Sequence, residues 1–140
     1  MLRKRRTTIL VKGDQKLAKS LAEQIIKNYN VKVMQKPENG LVMVKMRESS
    51  ARKLFYLGEL LVTECKVQIN EVLGVGLVSG DRQELAYYLA VIDAACNAAL
   101  PETKSWESVL MVEEEKIAAH EAKEHLKLLR TKVNFETMDV

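Results

Sequence analysis

The sequence predicts an α+β fold: an N-terminal helix, an antiparallel sheet of about four strands, and two C-terminal helices followed by a final extended tail. Three observations support this prediction. Apolar and polar residues alternate through the middle of the chain, and short polar turns rather than helices separate these segments. Apolar residues recur at helical spacing before and after this region. The length of 140 residues fits a single domain, residues 1–140.

The first helix is predicted to begin at Asp14, directly after a glycine. Leu17, Leu21 and Ile25 recur every four residues and would form its apolar stripe. Residues 1–12 precede this helix as a basic segment that could be flexible. The folded domain would then start with a helix that packs one face on the sheet.

The predicted strands are apolar segments separated by turn-forming residues. Pro37 followed by Asn39-Gly40 favours a turn between the first two strands. Residues 48–53 are predicted to form a polar loop, and Asn70-Glu71 a tight turn. Gly58 indicates a bulge, a bend or a close backbone approach. The strand segments are Val31–Met34, Leu41–Met46, Leu60–Asn70 and Val72–Ser79.

A helix over residues 81–100 is predicted to follow the last strand. Asp81 is expected to cap its first turn, and Glu84, three residues later, would complete a capping box. Asp93 lies in the apolar part of this helix, where its carboxylate either reaches a polar partner or faces solvent. We therefore predict structural roles for Asp81, Glu84 and Asp93. Pro101 would end the helix.

The last helix is predicted over residues 113–130. Three glutamates open it and basic residues close it, as the helix dipole favours. Its apolar stripe is weak in the middle, which indicates a surface helix or one that packs on another subunit. Residues 131–140 are predicted to form a short strand or an extended tail.

Charge is distributed unevenly along the chain. Residues 1–36 hold ten Lys/Arg against two acids, whereas the remainder holds twelve against seventeen. A basic N-terminus could recruit an anionic partner, but no aromatic residues interleave with the basic ones as single-strand binders require, so nucleic acid is not an expected partner. We expect no signal peptide and no membrane segment. Cys65 and Cys96 lie far apart and read as buried hydrophobes, which favours a reduced, cytoplasmic setting.

Few residue patterns in the chain point to chemistry. His120 and His125 are five residues apart, so their rings would lie about 140° apart around a helix and could not share a metal. We therefore predict no metal site. Gly80 and Arg82 are candidate ligand-binding residues, because free amides at a helix start can hold a phosphate. Glu59 and Glu64 are weak catalytic candidates as acid–base carboxylates.

The order of several short motifs resembles a known family. They are Gly40-Leu41-Val42, Phe55, Gly58-Glu59, Val62-Thr63-x-Cys65-x-Val67, Gly74-x-Gly76, Gly80, Ala86, Ala90, Ile92-Asp93-Ala94 and the ending Val133-Asn134-Phe135-x-Thr137-Met138. This order is similar to the G subunit family (PhnG-like) of the phosphonate carbon–phosphorus lyase system, over about residues 14–138. The chain departs from it at Leu85, where the family often has His, at Glu64, where it has Arg, and at Gly80-Asp81-Arg82, where it has Gly-Arg-Asp.

The resemblance implies a subunit rather than a free-standing enzyme. Members of the family assemble with H, I and J subunits, two copies of each, and an ATPase-type L subunit is also required. The complex transfers a phosphonate to ribose C1′ of ATP and releases adenine, giving α-D-ribose 1-methylphosphonate 5-triphosphate from methylphosphonate. The J subunit then uses an iron–sulfur cluster and S-adenosylmethionine. The resemblance implies no cofactor in this chain.

Two other classes of function remain open from the sequence. The first is a basic module for nucleic acid or nucleotides, built on Arg3–Arg6 and the lysines of the first helix. The second is an independent hydrolase that uses Glu59 or Glu64. The predicted function is nevertheless a supporting subunit of the carbon–phosphorus lyase core complex, not catalytic alone.

Overall fold

The computed structural model describes residues 1–47 and 54–138, with side chains described for residues 1–45 and 58–132. The fold is α+β, as predicted, with a three-stranded antiparallel sheet in the order β1-β2-β3. The predicted polar loop at 48–53 lies outside the described residues. The elements are α1 (Arg3–Lys12), α2 (Gln15–Asn28), β1 (Lys32–Arg47), β2 (Leu54–Ile69), β3 (Val72–Ser79), α3 (Gln83–Asn97), a 3-10 turn (Pro101–Ser105) and α4 (Trp106–Met138).

The sheet has three strands rather than about four, because the first two predicted strands are one. β1 runs without interruption through the turn predicted at Pro37 and Asn39-Gly40. Its register against β2 shifts between Val33 and Gln35 and again between Gln35 and Glu38. These irregularities let the turn-forming residues remain within the strand. Pro37, which has no N–H, is tolerated because β1 is an edge strand.

The structure has a bulge at Gly58, one of the three features that the sequence indicates there, and the predicted tight turn at Asn70-Glu71. The register shifts beside Gly58, which has φ +153°, a value that suits glycine. Asn70 and Glu71 have φ of 49° and 65°, and Ile69 pairs with Val72 across them. This is the two-residue hairpin connection whose twist matches the flanking strands. It fixes the register of β3 on β2.

Helix α3 lies directly on the backbone of β3. Gly74 and Gly76 face it, and a Cβ on Gly76 would overlap the Ala86 carbonyl oxygen and lie 2.6 Å from the Ala90 amide nitrogen. The two glycines therefore mark a close helix–strand approach. The helix is buried along most of its length, including Leu85, Ala86 and Leu89–Ala95. It forms the centre of the core.

The N-terminal segment forms helix α1, whereas the sequence predicts a basic segment over residues 1–12 that could be flexible. Ile9 and Leu10 of α1 are 2 % exposed and belong to the core. Burial of these two side chains fixes a segment whose charge alone indicated a solvated tail. The first predicted helix is α2, and its predicted start is confirmed because the Asp14 side chain accepts from the Lys16 amide.

The prediction of an extended tail at residues 131–140 is wrong for residues 131–138, which the structure describes. Helix α4 continues through residues 131–138, a segment with no glycine or proline to stop it. Trp106 and Leu110 at its start are buried, and the Trp106 indole donates to Gln24 Oε1 at 3.0 Å. Further along, Leu126, Leu128 and Leu129 are exposed. Among the residues of α4 whose side chains are described, 106–132, the buried ones thus lie near its start.

Candidate functional site

A buried ionic cluster surrounds Asp93 on α3. Asp93 is 4 % exposed, and its Oδ1 lies 2.7 Å from Arg6 Nη2 and 3.0 Å from Arg3 Nε. The Val75 amide of β3 donates to its Oδ2 at 2.9 Å, and Asn97 Nδ2 lies 3.4 Å from the same oxygen. One carboxylate therefore joins α1, β3 and α3.

The cluster is suited to holding elements together and not to proton transfer. Each carboxylate oxygen of Asp93 has two donors beside it, so neither oxygen keeps a lone pair free for a substrate. Arg6 is itself 8 % exposed, so the pair is largely removed from water. Removing one partner of such a pair strongly destabilises the fold, because the other charge stays buried without compensation.

A second polar cluster centres on Thr63, in the buried face of β2. Thr63 is fully buried, and its Oγ1 lies 2.6 Å from the Gly80 carbonyl oxygen, to which it donates. The Arg82 amide donates to the same Oγ1 at 3.1 Å, and the Asn39 side-chain amide oxygen lies 3.0 Å away. The Gly80 amide donates to the Leu61 carbonyl. These bonds fix the turn from β3 into α3, where Gly80 has φ +86°.

The predicted capping box of Asp81 and Glu84 is not formed. Helix α3 begins at Gln83, its N-cap is Arg82, and no side chain caps it. The Arg82 amide donates to Thr63 on the neighbouring strand, so Arg82 still belongs to the turn and the helix begins one residue later than predicted. Asp81 is exposed, and Glu84 lies in the first turn, where its charge favours the helix dipole without a capping bond.

The two candidate ligand-binding residues lie at this turn. Arg82 lines a shallow cleft of about 430 Å³ together with Asp81, Glu84 and their neighbours. The acids offset the charge of Arg82 there, and the Gly80 N–H and C=O both bond within the protein. The geometry gives Gly80 and Arg82 a role in shaping the turn. Their binding of a ligand stays a prediction.

The two candidate catalytic carboxylates are not brought together. Glu59 and Glu64 lie five residues apart on a regular part of β2, which turns their side chains to opposite faces of the sheet. Glu59 is exposed, and Glu64 lies 3.8 Å from Lys66 Nζ. A shared acid–base role would need both on one face, so this geometry supplies no pair.

Cys65 is buried, as predicted, and Cys96 is half-buried; both thiols are free. Burial raises the pKa of the Cys65 thiol to about 11, which leaves about one thiolate in a thousand at pH 8. We therefore expect Cys65 to resist a disulfide reagent in the native protein at pH 8 and to react at the ordinary rate in urea. Counting fast-reacting thiols before and after unfolding measures this. Rapid labelling of Cys65 in the folded chain would contradict it.

No other constellation stands out within residues 1–47 and 54–138. No group of three or more His, Cys, Asp or Glu side chains in this part of the chain could hold a metal ion. His120 and His125 are exposed on α4. None of the described helices combines the length and the apolar character that a membrane crossing needs.

Sequence reasoning missed the partners that organise both clusters. The sequence predicts a basic segment that could be flexible around Arg3 and Arg6, although a lone Asp93 in an apolar helix calls for a cation elsewhere in the chain. Thr63 continues the inward alternation of Cys65, Val67 and Ile69, so extending that pattern by one step would have placed it in the core.

Comparison with known proteins identifies a family for this chain. A family model described as phosphonate metabolism protein PhnG matches residues 1–139. A search of curated proteins found none that matches significantly. The family match spans both clusters and nearly the whole chain.

Proposed function

Because the chain belongs to the PhnG family of phosphonate metabolism proteins, we propose that it is a structural subunit of the carbon–phosphorus lyase core complex. Its partners would be the H, I and J subunits, with the ATPase-type L subunit required for activity. The complex would transfer a phosphonate to ribose C1′ of ATP and release adenine. The single observation that carries this proposal is the family match over residues 1–139.

The surface of the chain supports a role in assembly. Large apolar side chains are exposed on the outer part of the β1–β2 hairpin, where Leu41, Met43 and Leu60 are 64 %, 58 % and 45 % exposed. More are exposed on α4, from Val109 to Leu129. Exposed apolar surface of this extent is typical of a protein that binds partners. A structural subunit is expected to present such surface.

The described side chains support a non-catalytic role. Asp93 is saturated with donors, Glu59 and Glu64 lie on opposite faces, and burial keeps Cys65 protonated. In this proposal ATP binds to the assembled complex, and the iron–sulfur cluster and S-adenosylmethionine belong to the J subunit. The free thiols of Cys65 and Cys96 agree with a reducing, cytoplasmic location.

The basic N-terminus gives less support to the alternative, a nucleic-acid or nucleotide-binding module. Arg3 and Arg6 bind Asp93, and Arg5 forms two hydrogen bonds with Glu114 at 2.8 and 2.6 Å. Lys12 lies 3.0 Å from Glu121. Charges that are neutralised within the protein add little to phosphate binding.

The experiment is co-expression of a tagged chain with the H, I and J subunits. We expect the four proteins to purify together. With the L subunit, ATP and methylphosphonate, the assembly should release adenine, measured by chromatography. A parallel preparation without this chain tests whether it is required. If the tagged chain recovers none of the three subunits, the proposal is wrong.

A further inference from the structure

A groove runs between α1 and the outer edge of β3. It encloses about 730 Å³. Apolar side chains form its floor, including Val11 of α1 and Val75 and Leu77 of β3. Basic side chains of α1 form its rim: Arg3, Lys4 and Lys12.

The backbone of β3 turns unpaired polar groups into this groove. The Val75 amide donates to Asp93 instead of β2, so the odd-numbered residues of β3 direct N–H and C=O away from β2. The Leu73 carbonyl accordingly accepts from Asn97 at 3.1 Å. Farther along, the N–H and C=O of Leu77 and Ser79 have no hydrogen-bond partner among the described residues. The edge is thus closed at one end and open at the other.

The opposite edge of the sheet is less suited to pairing. β1 carries two register irregularities in its first half, and Pro37 there has no N–H to donate. Bulges and prolines are the usual means by which proteins prevent a sheet edge from pairing. β3 pairs with β2 in unbroken register over Val72–Ser79, so its outer edge is regular. Of these two edge segments, the one at Leu77–Ser79 is regular, open and backed by a groove.

We infer that an extended segment of a partner subunit adds to the sheet along Leu77–Ser79. Its backbone would bond the N–H and C=O of Leu77 and Ser79, as in other strand-addition complexes. Apolar side chains of the segment would pack on Leu77 and Val11. The inference rests on the proposed role as a complex subunit and names one surface through which a partner binds.

The charge of the rim indicates an acidic segment. Arg3 and Lys12 already face Asp93 and Glu121, whereas Lys4 forms no ion pair within the described part of the chain. Lys4 is exposed and lines the groove. An Asp or Glu beside the apolar residues of the incoming strand would pair with it and fix the register.

A matched pair of proline variants tests the inference. Leu73 and Leu77 are both 48 % exposed on β3, and both direct their N–H away from β2. Proline is tolerated at an edge where the N–H faces outward, so Leu77→Pro and Leu73→Pro should have similar melting temperatures. We expect Leu77→Pro to weaken assembly with the H, I and J subunits about tenfold or more, and Leu73→Pro to leave it nearly unchanged.

Two further measurements keep the inference falsifiable if a proline variant does not fold. Lys4→Glu should weaken assembly, whereas Lys19→Glu on the exposed side of α2 should not. Hydrogen exchange at the Leu77 and Ser79 amides should slow in the complex. If the complex forms but these amides stay unprotected, or Leu77→Pro and Lys4→Glu assemble normally, the inference is wrong while the proposed function stands. If the isolated chain protects these amides from exchange, and more so at higher protein concentration, the occupant is a second copy of the chain and the inference is overturned.

Discussion

Gly76→Ala should destabilise the fold by about 3 kcal/mol or more, which corresponds to a fall of roughly 10 °C in melting temperature for a chain of this size. The added Cβ would overlap the Ala86 carbonyl oxygen and lie 2.6 Å from the Ala90 amide nitrogen. Both atoms belong to the backbone of the central helix, so no side-chain rotation relieves the contact. Helix α3 would have to move off β3, and that movement would expose the core. Thermal and urea unfolding followed by circular dichroism measure the effect.

The control is Gly40→Ala. A Cβ on Gly40 has no atom within 4 Å, and Gly40 is not among the glycines with positive φ. Gly40 also lies in β1, so both substitutions add one methyl group to a strand. We expect its unfolding midpoint to stay close to that of the unchanged chain. Equal losses of stability in the two variants would show that the close approach of α3 to β3 is not the reason that position 76 requires glycine.

Arg6→Met should destabilise the fold by about 3 kcal/mol. Methionine keeps most of the apolar volume of the arginine stem, so the loss comes from leaving Asp93 buried with less compensating charge. Arg3 and the Val75 amide would remain beside the carboxylate and keep the loss at the lower end of the range. Urea unfolding measures the change. Adding Asp93→Asn to Arg6→Met should cost less than the sum of the two single changes, because the two residues interact directly.

The matched control for Arg6 is Arg5→Met. Arg5 bonds Glu114 in a pair that is exposed on both sides, and that contact holds the pKa of Glu114 below its usual range and raises the pKa of Arg5. Water screens such a pair, so its loss should change stability little. If Arg5→Met and Arg6→Met behave alike, burial of the Asp93 pair is not what stabilises α1.

Sequence periodicity predicted the parts of this fold that local spacing determines. The apolar stripe of α2, the β2–β3 hairpin with its turn at Asn70-Glu71 and the buried helix α3 each follow from neighbours within a few residues. Gly58 at a bulge follows from the same logic. In these segments local preference and tertiary packing agree, so the pattern alone was sufficient.

The predictions failed where a distant residue overrides local preference. Asp81 is predicted to cap a helix, but the Arg82 amide donates to Thr63 on another strand, and the helix begins one residue later, at Gln83. Pro37 and Asn39-Gly40 favour a turn, but strand β1 continues through them and pairs with β2 on both sides of Pro37. The basic N-terminal segment forms helix α1 because Ile9 and Leu10 are buried in the core and the Arg6 guanidinium donates a hydrogen bond to Asp93. None of these partners is near in sequence, which is why spacing could not reveal them.

The ion pair between Arg6 and Asp93 also has a consequence for the order of folding during synthesis. The two residues are 87 positions apart, which at ordinary rates of translation means roughly 4 to 17 s between their syntheses. The β2–β3 hairpin can close as soon as Ser79 has emerged, because its partners are neighbours along the chain. Helix α1 is synthesised first but lacks its buried counter-charge until α3 has formed. Docking of the N-terminus is therefore a long-range step that follows the formation of α3.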